Sequence, residues 1–146
     1  MKLDQHLVDA AMALAQRRFP QGEGGGAALY TSCGSTLTSV GLGNPNDCVN
    51  LCYETGAICE AYKRDLKITA SVCVWRKEAR SPFVILAPCG VCQERLSLWG
   101  LDLEVAVPHP EDPTRWVAKS LREANPYYWR LPFLREERHA KGAHGD

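Results

Sequence analysis

Two short fragments set the strongest limit on how this chain folds. Pro88-Cys89-Gly90-Val91-Cys92 opens one helical pattern, and Cys52-Tyr53-Glu54 opens an earlier one. If the three thiolates serve one metal ion, the fold must bring two helix tips together across an intervening strand and loop. Cys89 and Cys92 reach a common point from a single turn, and Cys52 must arrive from elsewhere. Seven cysteines are present, an odd number. The N-terminus shows no apolar stretch with a small-residue cleavage site, so the chain is expected in the cytoplasm. In that reducing setting the cysteines read as metal ligands or buried thiols before disulfides.

The rest of the pattern gives an α/β order. Leu3, Leu7, Ala10 and Leu14 recur at helical spacing over residues 2–18. The run Gln21–Gly26 lacks the Gly-Lys-Ser/Thr of a phosphate loop and reads as a flexible connector. Residues 27–31 and 37–40 read as two strands around a Cys33-Gly34-Ser35 turn, and 41–47 as a Gly/Asn/Pro loop. Asn50 is a good N-cap for a helix to about residue 65. Residues 67–75 read as a buried strand. Phe83–Leu86 is ambiguous between a strand and an apolar lead into the next motif. A helix from Pro88 or Cys89 runs to Trp99, where Gly100 stops it. Residues 103–107 and 115–119 read as the last strands, and Ser120-Leu121-Arg122-Glu123 as a capping box. Helices alternating with strands predict a three-layer α/β/α domain, with a mixed five-stranded sheet. It is expected as one domain over 1–133, followed by a polar tail at 134–146.

Charge narrows the function classes. Lys plus Arg number 17, as do Asp plus Glu, so the formal net charge is zero. A domain that grips duplex or RNA usually carries a basic excess, so a nucleic-acid polymer is not the expected partner. No stretch approaches the roughly 18 apolar residues of a membrane span, so no membrane partner is expected.

The cysteine fragments carry the chemistry. Three thiolates can bind one Zn2+ tetrahedrally and leave the fourth position for water. Helix N-termini favour thiolates through their partial positive charge and free N–H groups. Zinc acidifies a bound water, and Glu54 stands two places after Cys52, where a carboxylate can take and return a proton. This order, a ligand followed by Glu and later Pro-Cys-x-x-Cys, is the signature of zinc-dependent base deaminases. A closed structural zinc site needs a fourth protein ligand, which Cys48, Cys59 or Cys73 could supply. That alternative describes a zinc-stabilised binding module without turnover.

From Phe19 to Trp129 the chain resembles the cytidine deaminase family, within it the small three-cysteine nucleoside deaminases. Phe19-Pro20 followed by Gly26-Ala27-Ala28-Leu29 is similar to the family's Phe-Pro-Val-Gly-Ala-Ala-Leu, with a Gly-rich insertion. Cys52-Tyr53-Glu54-Thr55-Gly56-Ala57-Ile58 is similar to Cys-Ala-Glu-Arg-Thr-Ala-Ile, and Pro88-Cys89-Gly90-Val91-Cys92 matches Pro-Cys-Gly-x-Cys. Leu121-Arg122-Glu123 and Tyr128-Trp129 are similar to the C-terminal segment of blasticidin S deaminases. The resemblance implies Cys52, Cys89 and Cys92 as ligands of one Zn2+ per subunit, Glu54 as the proton shuttle, and a homotetramer. It implies hydrolysis of cytidine or 2′-deoxycytidine to the uridine product and ammonia, as in pyrimidine salvage. The alternative substrate is a blasticidin S-like or otherwise modified pyrimidine nucleoside.

The chain departs from the family in three places. Tyr53 stands where Ala is usual, bordering the base or pointing into the core. Gln93 stands where an Arg donates to the thiolates; Arg95 is a possible compensating charge, though a surface helix is the commoner setting for such a residue. The Asn-x-Glu pair that holds the ribose has no clear match, and Asn44, Asn46 or Asp47 in the 43–47 loop could hydrogen-bond a sugar or simply form turns. Phe19 and Trp129 are the candidate base-stacking aromatics. Phe19, Asn44, Asn46, Tyr53 and Trp129 thus form the expected substrate contacts.

Overall fold

The computed structural model of the chain describes residues 1–134. The polar tail expected at 134–146 therefore falls, from residue 135 on, outside the described residues.

Helix α1 (Gln5–Arg18) begins where Asp4 accepts the Leu7 N–H at 3.0 Å, the usual service of an N-cap carboxylate. The same carboxylate accepts the Tyr30 hydroxyl at 2.9 Å, which ties the helix to the sheet. Leu7, Val8, Ala11 and Ala15 form its buried face.

Among the described residues the sheet has six strands, one more than the pattern predicts. β1 (Gly24–Thr31), β2 (Thr36–Ser39), β3 (Ile68–Arg76), β4 (Val84–Leu86), β5 (Glu104–His109) and β6 (Asp112–Ser120) form it, with main order β2-β1-β3-β5-β6. The extra strand is the ambiguous 83–86 segment. β3 pairs with β5 in parallel at Ala70 and Ser71 and with β4 antiparallel at Cys73–Trp75, so two short strands share one edge. The other pairs are antiparallel. The sheet is mixed, as expected.

The Gly-rich run is not a connector throughout. Gly24, Gly25 and Gly26 open β1 and pair with Arg76, Trp75 and Val74. β1 is buried along its whole length, between β2 and β3. A Cβ on Gly25 would lie 2.4 Å from the Val74 carbonyl oxygen, so this close strand approach requires glycine.

Alternate side chains feed two cores. Ala28, Tyr30, Val72, Val74 and Ile85 pack with α1 on one face. Leu29, Ile68 and Val105 pack on the other with Ala57 and Ile58 of α2 (Thr55–Lys63), Leu96 of α3 (Gly90–Leu96) and Leu121 of α4 (Leu121–Ala124). Each large aliphatic side chain so buried contributes about 1.5–3 kcal/mol relative to exposure. The result is the expected three-layer α/β/α arrangement. A 3-10 turn extends α3 through Trp99, and Gly100 ends it at φ 103°, a left-handed value that suits glycine. The capping box at Ser120 and Glu123 forms in both directions.

Candidate active site

Both cysteine fragments lie at helix tips, and each tip has its own construction. Before α2, Leu42 and Leu51 exchange backbone hydrogen bonds at 3.1 and 3.0 Å, an antiparallel bridge that keeps the chain extended up to Cys52. The Thr55 N–H then closes a turn on the Cys52 carbonyl at 3.1 Å. The helix starts at Thr55 with Glu54 in the cap position, not at Asn50 as its residue type suggests. The Asn50 side chain is engaged elsewhere: its Oδ1 accepts the Asn44 N–H at 2.6 Å and its Nδ2 donates to Asp47 at 3.2 Å. At α3, Cys89 is the cap residue in extended conformation and Cys92 lies in the first turn, as its spacing predicts.

The three sulfurs meet. The Sγ atoms of Cys52, Cys89 and Cys92 all lie within 4.8 Å of one another, and Cys52 and Cys89 are 3.3 Å apart. Cys92 lies 3.5 Å from Glu54 Oε2. Glu54 is only 3% exposed. Burial raises its carboxyl above the ordinary range, opposed by its own backbone N–H, the Cys92 thiol and the Arg95 charge. Burial likewise raises Cys92 far above the usual thiol value, with Glu54 and the neighbouring sulfurs adding to it. Cys52 is raised by burial and by Cys89. At Cys89 burial also acts upward, but the Cys92 backbone N–H, the neighbouring thiols and the Val91 N–H outweigh it and lower the pKa.

Such a cluster fits a thiophilic cation. Sulfurs about 2.3 Å from a tetrahedral Zn2+ stand about 3.8 Å apart, within the spread seen. Two raised thiols and a buried acid are crowded at van der Waals range, with the Arg95 charge acting on the acid, an arrangement that a bound cation or protons relieve. The candidates for a fourth sulfur are not in the group. Cys48 and Cys59 are exposed, and Cys73, buried on β3, lies outside the cluster.

Arg95 is more than a surface cation. It is half-buried, and its Nη1 donates to Thr55 Oγ1 at 2.8 Å, beside Glu54. Gln93 spends its side-chain amide elsewhere: its Nε2 donates to the Pro88 carbonyl at 2.8 Å and braces the loop before Cys89.

A cavity of about 660 Å³ opens beside Cys52, lined also by Phe19, Glu23, Gly41, Asn50 and Tyr53. Two of the five expected substrate residues, Phe19 and Tyr53, are therefore brought together there. Asn44, Asn46 and Trp129 do not line it. Asn44 Oδ1 accepts the Asn46 N–H and Asn46 Oδ1 accepts the Cys48 N–H, the turn-forming use of such residues. Trp129 is 63% exposed and donates to Glu94 Oε2 at 3.0 Å. The packing of Tyr53 on Gly25 and Gly41 has one signal in the sequence, a bulky residue at a normally small position.

Comparison with known proteins gives the same fold. No protein-family model matches the chain, and no curated protein matches it. The cytidine deaminase from Bacillus anthracis is 39% identical, over 90% of this chain and 93% of that one, with a TM-score of 0.85. The cytidine deaminase from Mycobacterium leprae is 23% identical over 84% and 96%, with a TM-score of 0.63. That from Burkholderia pseudomallei is 22% identical over 83% and 94%, also with a TM-score of 0.63. The latter two share the fold. With the Bacillus anthracis enzyme matched over nearly its full length and a three-cysteine cluster at the helix tips, this chain belongs to the cytidine deaminase family.

Proposed function

We propose that the protein is a zinc-dependent hydrolase that deaminates cytidine or 2′-deoxycytidine to the uridine product and ammonia. The observation that carries this reading is the meeting of three cysteine sulfurs with the buried carboxylate of Glu54 at two helix tips. Cys52, Cys89 and Cys92 hold one Zn2+ per subunit. When bound, the ion supplies Lewis acidity that brings the pKa of a coordinated water toward neutrality.

The chain's own groups do the rest. Glu54 accepts the proton of the attacking water, gives it to the ring nitrogen next to the amine-bearing carbon, and then helps the amine leave as ammonia. Burial raises its carboxyl, and this matches a group that must both take and give a proton near neutral pH. Arg95, held on Thr55, offsets the negative charge of thiolates and carboxylate. Phe19 and Tyr53 wall the cavity where the base enters.

A homotetramer in the cytoplasm, with residues 1–133 acting as one domain, completes the reading. Its support is the family membership, the neutral charge balance and free cysteines. No described helix is long and apolar enough to cross a membrane.

The test is an ammonia-release screen on zinc-loaded protein with cytidine, 2′-deoxycytidine and blasticidin S. Turnover of either plain nucleoside supports the reading. Inertness toward both, with turnover of blasticidin S, transfers the chemistry to the modified substrate.

A further inference from the structure

The loop expected to hold a sugar is engaged in holding itself. Asn44, Asn46 and Asn50 each use the side-chain oxygen on a backbone N–H of the same loop, and Asn50 also gives its amide to Asp47. Asn50 is the one member of that set that lines the cavity. The other polar side chains along the wall are those of Arg18, Glu23 and Tyr53. Arg18 and Glu23 are exposed, and Arg18 lies over the Phe19 ring at 4.9 Å. Charged groups in water discriminate weakly, because binding exchanges one set of hydrogen bonds for another.

Tyr53 differs. Its ring is half-buried and seated on two glycines from separate elements. A Cβ on Gly25 of β1 would stand 2.9 Å from Tyr53 Cζ, and a Cβ on Gly41 would stand 3.2 Å from Cδ1. Ser39 Oγ donates to the Tyr53 carbonyl and fixes its backbone. The ring is therefore placed by the fold. Its hydroxyl has no hydrogen-bond partner among the described residues, where the buried side-chain polar atom left without one is Arg76 Nε. Tyr53 lines the cavity one residue from Cys52 and carries a neutral hydroxyl that is both donor and acceptor.

We propose that the Tyr53 hydroxyl is the specificity-determining group of this chain, hydrogen-bonding a hydroxyl of the sugar carried by the pyrimidine. The proposal rests on the deaminase reading above. It makes the substrate a hydroxylated nucleoside, in preference to a free base or an analogue stripped of sugar hydroxyls.

The experiment compares wild-type and Tyr53→Phe proteins, which share the ring, on cytidine, 2′,3′-dideoxycytidine and 5′-deoxycytidine. The expected result is a preference of the wild type for cytidine that shrinks about five- to tenfold in Tyr53→Phe against one of the two deoxy analogues. The loss is carried by KM of cytidine rather than kcat. Calorimetric binding of uridine and 2′,3′-dideoxyuridine or 5′-deoxyuridine, which needs no turnover, is expected to show the same change in ratio. Unchanged ratios in both assays overturn the proposal and leave the deaminase reading intact. Equal loss on all three substrates also overturns it, because a ring that merely packs would give that result. A zinc-loaded wild type that neither deaminates nor binds these nucleosides overturns both.

Discussion

The tips of α2 and α3 converge on one point but are built in opposite ways. The α3 tip is local: Cys89 caps the helix, Cys92 follows in its first turn, and the Gln93 N–H returns to the Cys89 carbonyl at 2.8 Å. The α2 tip is assembled from afar, by the Leu42–Leu51 bridge, the Ser39 hydroxyl and the Arg95 side chain from α3. The local tip presents an exposed, lowered thiol at Cys89, and the assembled tip presents a carboxylate that is almost wholly buried. Ligands can be written into a short spacing, whereas a buried acid needs the surrounding fold to hold and tune it.

Breaking the local tip is expected to have the largest effect. Cys89→Ser removes a soft ligand and with it the metal, so zinc content measured after dialysis falls to near background and thermal stability drops, since metal binding is coupled to folding. Full zinc occupancy in that variant would remove Cys89 from the set.

Changing the acid of the assembled tip is next. Glu54→Gln keeps the shape and the zinc but loses on the order of 10²–10⁴-fold in kcat, the usual worth of a general acid–base. Steady-state rates at matched zinc content check it.

A smaller effect isolates the strut between the tips. Glu54 must be ionised to accept a proton, so activity falls as pH falls through its pKa. The Arg95 charge lowers that pKa. Arg95→Ala is therefore expected to move the acid limb of the kcat/KM profile to higher pH and to cost about tenfold at neutral pH, with partial recovery in Arg95→Lys. A profile that does not move would make Arg95 structural only.

The same comparison explains what the sequence makes legible. The α3 tip could be read with its residues in place, because everything that forms it lies within a few positions. The α2 tip could be read for the approach of Cys52 and Glu54 to the α3 cysteines but not for its helix start. Asn50 has the chemistry of an N-cap, yet its side chain is drawn to Asn44 and Asp47, and the bridge at Leu51 keeps the backbone extended. The run at Gly24–Gly26 reads as a connector because glycine carries no strand pattern; only its neighbours, Val74 across the pair and the rings of Phe19 and Tyr53, show why nothing larger fits. The 83–86 segment becomes a strand because β3 has a free edge beside β5 to receive it. Arg95 looks like any helix-surface cation until Thr55 is seen across from it.

The smallest effect sharpens the contrast with a thiol outside the cluster. Cys33 is exposed, and hydrogen bonding with Ser35 and Thr31 lowers its pKa to about 7. In zinc-loaded protein it is expected to alkylate first, with a rate that rises through neutral pH, while Cys73 in the core stays unmodified. Peptide mapping of iodoacetamide adducts over time checks the order.

X-ray absorption at the zinc edge of the purified, metal-loaded protein bears most directly on the whole account. Three sulfur neighbours at about 2.3 Å and one light oxygen-type neighbour are predicted. Four sulfurs around the ion, or a carefully purified protein that retains no zinc, would contradict it.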